Sequence, residues 1–146
     1  MNKLTMNELN MMLADFNADT PLTPQLRAHR RERICALEKA MESLEGSYGP
    51  DKINEGKLKH HFATGVYGRE LFIPKDTMIV SKIHRGQTLN MIAQGVISVI
   101  SEAGFHTYRA PHIFVSSPYT KRVVISHEDT LWVTAHGTHQ TDLDKV

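Results

Sequence analysis

From about Lys59 to His136 the chain is a succession of short runs rich in β-branched and aromatic residues: "HHFATGVY", "RELFIP", "TMIVSKIH", "VISVIS", "FHTYRA", "HIFVSS", "KRVVIS" and "TLWVTAH". Turn-forming residues separate them, at Gly68, Pro74-Lys75-Asp76, Gly95, Glu102-Ala103-Gly104, Pro111, Ser117-Pro118 and His127-Glu128-Asp129. Many short strands at even spacing predict an antiparallel sandwich or barrel. No helical pattern of roughly ten residues interrupts them, which argues against the crossover helices of a parallel sheet.

Before this region the period is helical. Leu9, Met12, Leu13 and Phe16 fall on one helical stripe. After the break "NADTPLTP", Thr23 and Pro24 read as an N-cap and a first helical residue. Ile34, Leu37, Met41 and Leu44 then form one apolar seam, and Gly46 supplies a stop. "GSYGPDKINEGK" is a loop by composition. The chain is therefore divided into a helical leader over 1–48, a β-rich domain over 59–140 and a polar tail over 141–146. The seam must bury itself, either across the outer face of the β domain or against a second subunit. Cys35, inside the apolar helical run, is expected to be a buried thiol.

Arg27, Arg30, Arg31 and Arg33 cluster with His29 in the same helix. No aromatic residue interleaves with them, and Glu38, Glu42 and Glu45 follow, so a solvated helix face is favoured over a nucleic-acid contact. The net charge of +1 over 146 residues gives no global field for nucleic acid or an anionic membrane. A single cysteine makes no internal disulfide, which fits a reducing compartment. No apolar run approaches the roughly 18 residues of a membrane span, and the N-terminus lacks a signal-peptide core. A cytoplasmic protein is the expectation. Nine histidines raise the prospect of metal binding or pH sensitivity without locating either.

The strand half resembles the cupin superfamily, which implies a mainly β, double-sheet jelly-roll barrel behind an α-helical leader. The first cupin motif, Gly-x5-His-x-His-x3-4-Glu-x6-Gly, falls on Asp76, Lys82, His84, Thr88 and Gly95, of which His84 and Gly95 keep the family residue. The second, Gly-x5-Pro-x-Gly-x2-His-x3-Asn, falls most readily on Pro111, Ser117, Tyr119, Arg122 and Ser126. A one-residue shift would bring Pro118 to the proline and Val123 to the histidine. Blocks such as "HHFATGVYGRE", "FIPKDT", "KIH", "TKRVV", "HEDTLWVTAH" and "TDLDKV" are similar to small cupin-like proteins of tailed phages. That likeness implies a host-cytoplasmic or virion protein. In those relatives glycine is expected at 76 and 119 and histidine at 88.

Alternation along a strand points residues 82 and 84 to one side. A catalytic metal needs about three protein ligands. His84 is the only retained ligand position; Lys82 and Arg122 are cations and Thr88 is a weak donor. His60 and His61 point to opposite faces of any strand, so at most one of them can enter a pocket. No metal is therefore assigned, although a divalent ion at His84 with atypical partners stays open. Lys82, His84 and Arg122 together would make a basic interior suited to a carboxylate or phosphate. Trp132, Thr134 and His136 share one strand face, with Trp132 and His136 as added ligand contacts or core. Tyr67 and Tyr119 are placed at the rim.

Three functions compete. The first is a non-enzymatic barrel that binds a small anion. The second is a metal-dependent oxygenase or isomerase using His84. The third is a virion or host-interaction protein in which the leader matters most. The resemblance also implies a homo-oligomer.

Overall fold

A computed structural model describes residues 14–42, 58–81, 83 and 85–138. Several expectations lie outside these residues: the stripe at Leu9, Met12 and Leu13, the seam residue Leu44, the stop at Gly46, the tail after 138, and Lys82 and His84. Of Met41 only the backbone is described.

Thr23 starts helix α1 (Pro24–Glu42) as expected: its Oγ1 accepts from the backbone N–H of Leu26 at 3.1 Å. A short 3-10 turn, Ala14–Phe16, precedes it. The described strands are β1 (Leu58–Ala63), β2 (Val66–Ile73), β3 (Met78–Val80), β4 (Thr88–Gln94), β5 (Val96–Ser101), β6 (Gly104–Arg109), β7 (His112–Ser116), β8 (Val123–Ser126) and β9 (Thr130–Gly137). They form two antiparallel sheets, ordered β1-β2-β9-β4-β7 and β3-β8-β5-β6.

Three layers result. Between the sheets, Ile73, Ile92 and Trp132 of the first meet Ile97, Val99 and Val124 of the second. Phe16, Ile34 and Leu37 pack on the other face of the second sheet, against Ile100 and Val123. The seam of α1 is thus buried within its own chain at Ile34 and Leu37. Burying such side chains contributes about 2 kcal/mol each, which holds the leader on the sheet. Among the described residues the outward face of the first sheet has no such cover: Leu89, Met91, Ile113 and Val115 are 38–61% exposed.

Some expectations are corrected. Gly68 is not a turn; it sits inside β2, and the hairpin turns at Thr64-Gly65. In "TMIVSKIH" strand is assigned to Met78–Val80 alone among the described residues. The stretch "TLNMIAQ" is a central strand that its asparagine, glutamine and alanine disguised. Cys35 is exposed, because it stands one position, about 100°, round the helix from buried Ile34. The basic run is not a plain solvated face either. Arg30 is 1% exposed, and its guanidinium donates to the carbonyls of Asp15 (3.0 Å), Asn17 (2.8 Å) and Glu102 (2.9 Å). Arg31 pairs with Glu102, and Arg33 with Asp15 at 3.0 Å.

Candidate functional site

The pleat sorts the first sheet into an inner and an outer face. Register aligns Arg69 with Thr134 and Thr134 with Asn90, while Leu71, Trp132 and Ile92 occupy the next inward row. One step the other way, Tyr67 faces His136, and Thr88 faces Ser116. The inner face therefore grades from apolar at Trp132 to polar at Thr88 and Ser116.

Arg122 enters this space just before β8. It is 6% exposed, and its neighbour Val123 turns to the opposite face, into the cluster under α1. One Arg122 nitrogen donates to Ser116 Oγ and another lies 3.5 Å from Asn90 Oδ1. The guanidinium also sits 5.5 Å from the centre of the Trp132 ring, within cation–π range. Arg122 makes no ion pair among the described residues. Burial lowers its proton affinity from the ordinary guanidinium value and the charge of Arg69 lowers it further, while Glu102 and Tyr108 oppose the shift.

Asn90 organises the interior. It is wholly buried; its Oδ1 accepts from the Trp132 indole N–H at 3.0 Å, and its Nδ2 donates to Ser116 Oγ at 2.7 Å and to the Thr88 carbonyl at 3.1 Å. Sequence reasoning missed it. The available signal was alternation: apolar Leu89 and Met91 flank a polar residue whose parity matches Ile92. Beside this hub, the Thr88 hydroxyl is buried without a hydrogen-bond partner among the described residues.

Arg122 and Ser116 also line a cleft of about 240 Å³, with Ser101, His106, Tyr108 and Arg27 among its other walls. Tyr108 belongs to an aromatic row over the edges of β6 and β7, 4.3 Å from His112 and 4.7 Å from Phe114 between ring centres. Burial raises the Tyr108 pKa above 10.0 and nearby Arg122 pulls it back, so the phenol stays a neutral donor at pH 7.

The expected site residues divide. Arg122 and Trp132 come together. Tyr67 and His136 form a second group, with ring centres 5.3 Å apart, and Tyr67 OH lies 2.6 Å from His60 Nδ1. Tyr67 is 7% exposed, buried rather than at a rim, whereas Tyr119 is 61% exposed. His60 faces inward, while His61 turns out to Glu70 at 2.9 Å, as strand parity requires. Lys82 and His84 lie outside the described residues.

Backbone conformation bears on the motif frame. Asp76 and Tyr119 both have φ of 61°, in the left-handed region, and both occupy motif positions expected to carry glycine. This favours the frame that places Arg122, not Val123, at the histidine position. A guanidinium and a hydroxyl at the second-motif histidine and first-motif glutamate positions do not suit a divalent cation, since the buried positive charge repels it. Among the described residues no three His, Cys, Asp or Glu side chains gather as a metal set.

No protein-family model matches the chain. No curated protein matches it either. Solved structures do. An RmlC-like cupin from Shewanella frigidimarina aligns at TM-score 0.50 and 14% identity over 70% of this chain and 97% of that one. KdgF from a Halomonas species aligns at 0.51 and 14% over 61% and 82%. A putative ethanolamine utilization protein Q from Salmonella typhimurium aligns at 0.51 and 9% over 66% and 85%. At these identities the likeness shows the fold, which is of the cupin type. No described helix is long and apolar enough to cross a membrane.

Proposed function

We propose that the chain is a cupin-type jelly-roll barrel of the phage or prophage kind, non-enzymatic, that binds a small anionic molecule between its sheets in the host cytoplasm. One observation carries this reading: Arg122 is a buried cation without an acidic partner among the described residues. An uncompensated buried charge is costly, and an anion that docks on its forked donors removes the penalty. The orphaned Thr88 hydroxyl, paired in register with Ser116, adds a further unused polar group nearby. Lys82 and His84, at ligand positions of the first motif in the sequence, are proposed to join Arg122. Trp132, the single tryptophan, offers the readout. Inorganic phosphate or acetate should change its fluorescence saturably in the wild type and leave it unchanged in Lys82→Ala/Arg122→Met. Identical responses in both proteins would sink the reading.

A homo-oligomer is a second proposal, favoured by the apolar strip of Leu89, Met91, Ile113 and Val115, which is exposed among the described residues. Sedimentation of Val115→Lys should show a smaller species than the wild type. A monomeric wild type would end this idea.

A further inference from the structure

The arginines of α1 do not share one role. Arg30 is buried against three carbonyls, Arg31 pairs with Glu102, and Arg33 pairs with Asp15. Arg27 has no side-chain hydrogen bond or ion pair among the described residues, yet it lines the same cleft as Arg122. Two elements far apart in sequence thus each bring to a single cleft a guanidinium that makes no ion pair among the described residues. The acid in the wall, Glu102, is already engaged, by Arg31 and by the Lys121 backbone N–H at 3.2 Å.

We propose that the cleft takes a small molecule with two acidic groups, one held by Arg122 and the other by Arg27. The proposal rests on the anion-binding reading above and sharpens its ligand class. Charge supplies the first argument. Arg27 and Arg122 present two guanidinium groups to one cleft, and a single acidic group engages only one of them. A ligand with a second acidic group engages both, giving two charge-assisted contacts. Size supplies the next. The cleft's volume of about 240 Å³ lies below the range of drug-sized pockets. A short dicarboxylate or a small carboxylate bearing a phosphate fits that space. Ser101, Ser116 and the neutral Tyr108 hydroxyl, among the other lining residues, supply uncharged donors. In this arrangement α1 is part of the site, and Arg27 is the residue that discriminates dianion from monoanion.

Calorimetric titration of the full chain with succinate, phosphoglycolate and butyrate tests this. In the wild type the better of the two multiply charged probes should bind roughly tenfold or more tighter than butyrate, the gain expected of one charge-assisted contact. Whether succinate or phosphoglycolate leads identifies the second acidic group as carboxylate or phosphate. Arg27→Gln should erase the preference while the melting temperature holds, since Arg27 is exposed and unpaired among the described residues. Arg122→Gln should abolish binding of all three. Equal affinities in the wild type, or a preference that survives Arg27→Gln, overturn the two-group proposal and leave Arg122 as an anion site. Failure of all three probes to bind overturns both readings.

Discussion

Arg122 and Trp132 converge on one oxygen: the indole N–H donates to Asn90 Oδ1 at 3.0 Å, and an Arg122 nitrogen lies 3.5 Å from the same atom. The guanidinium also covers the indole ring at 5.5 Å. A neutral carboxamide thus serves both groups, and nothing in this triad cancels the cation's charge.

Replacing Arg122 by methionine should consequently do little harm to the fold. Asn90 keeps its bonds to Trp132 and Ser116, and an expensively desolvated charge is gone. Urea denaturation should give a stability within about 1 kcal/mol of the wild type, or above it. Asn90→Leu should cost about 2–4 kcal/mol, because it strips the indole N–H and Arg122 of their acceptor together. The reverse order would show that the charge, not the carboxamide, organises the interior.

Left-handed backbone sets up opposite responses to glycine changes. Gly95 has φ of 96°, and a Cβ there would sit 2.4 Å from the Asp129 carbonyl oxygen. Gly95→Ala should lower stability by about 2 kcal/mol or more, through strain and that clash. Tyr119, at φ of 61° with its side chain largely exposed, should respond in the other direction. Tyr119→Gly is expected to raise the thermal midpoint, by about 1 kcal/mol in stability.

The leader's arginines should separate by burial. Arg30→Met leaves three carbonyls without their donor and is expected to cost about 3 kcal/mol by chemical denaturation. Arg33→Met breaks an exposed pair with Asp15 and should cost about 0.5 kcal/mol or less. Comparable losses would mean that Arg30 is not holding the leader to Glu102.

Tyr67 and Tyr108 both have pKa values raised above 10.0, chiefly by burial. The unfolded phenols ionise first as pH rises, so the unfolded state releases protons the folded state keeps. Stability from these groups is complete below pH 10.0 and falls as pH climbs from there through the raised folded values. Tyr108→Phe should flatten part of that decline, read as the denaturation midpoint against pH. Phenolate absorbance titrating at or below 10.0 in the folded protein would contradict it.

Much of the scaffold was legible in the residues. The Thr23-Pro24 cap, the seam through Ile34 and Leu37, and most of the short strands follow from local chemistry, and each appears where it was expected. β4 was not singled out, since Asn90 and Ala93 within it weaken the β-branched and aromatic signal that marks the other strands. Arg30 was misread for a related cause. A cation enters a core only when distant carbonyls meet it, and one of its partners, Glu102, is 72 positions away.

By itself, then, the sequence determined strand periodicity, the helix cap and which residues share a face, because these depend on neighbours a few positions apart. It set Trp132, Thr134 and His136 on one side of a strand without saying what lay opposite. Tertiary structure decided that Arg122 faces Asn90 and Trp132 instead of solvent, that Cys35 stays outside, and that Arg27 of the leader shares a cavity with Arg122. The physical reason is that the cost of burying a polar group depends on partners the fold brings from far along the chain.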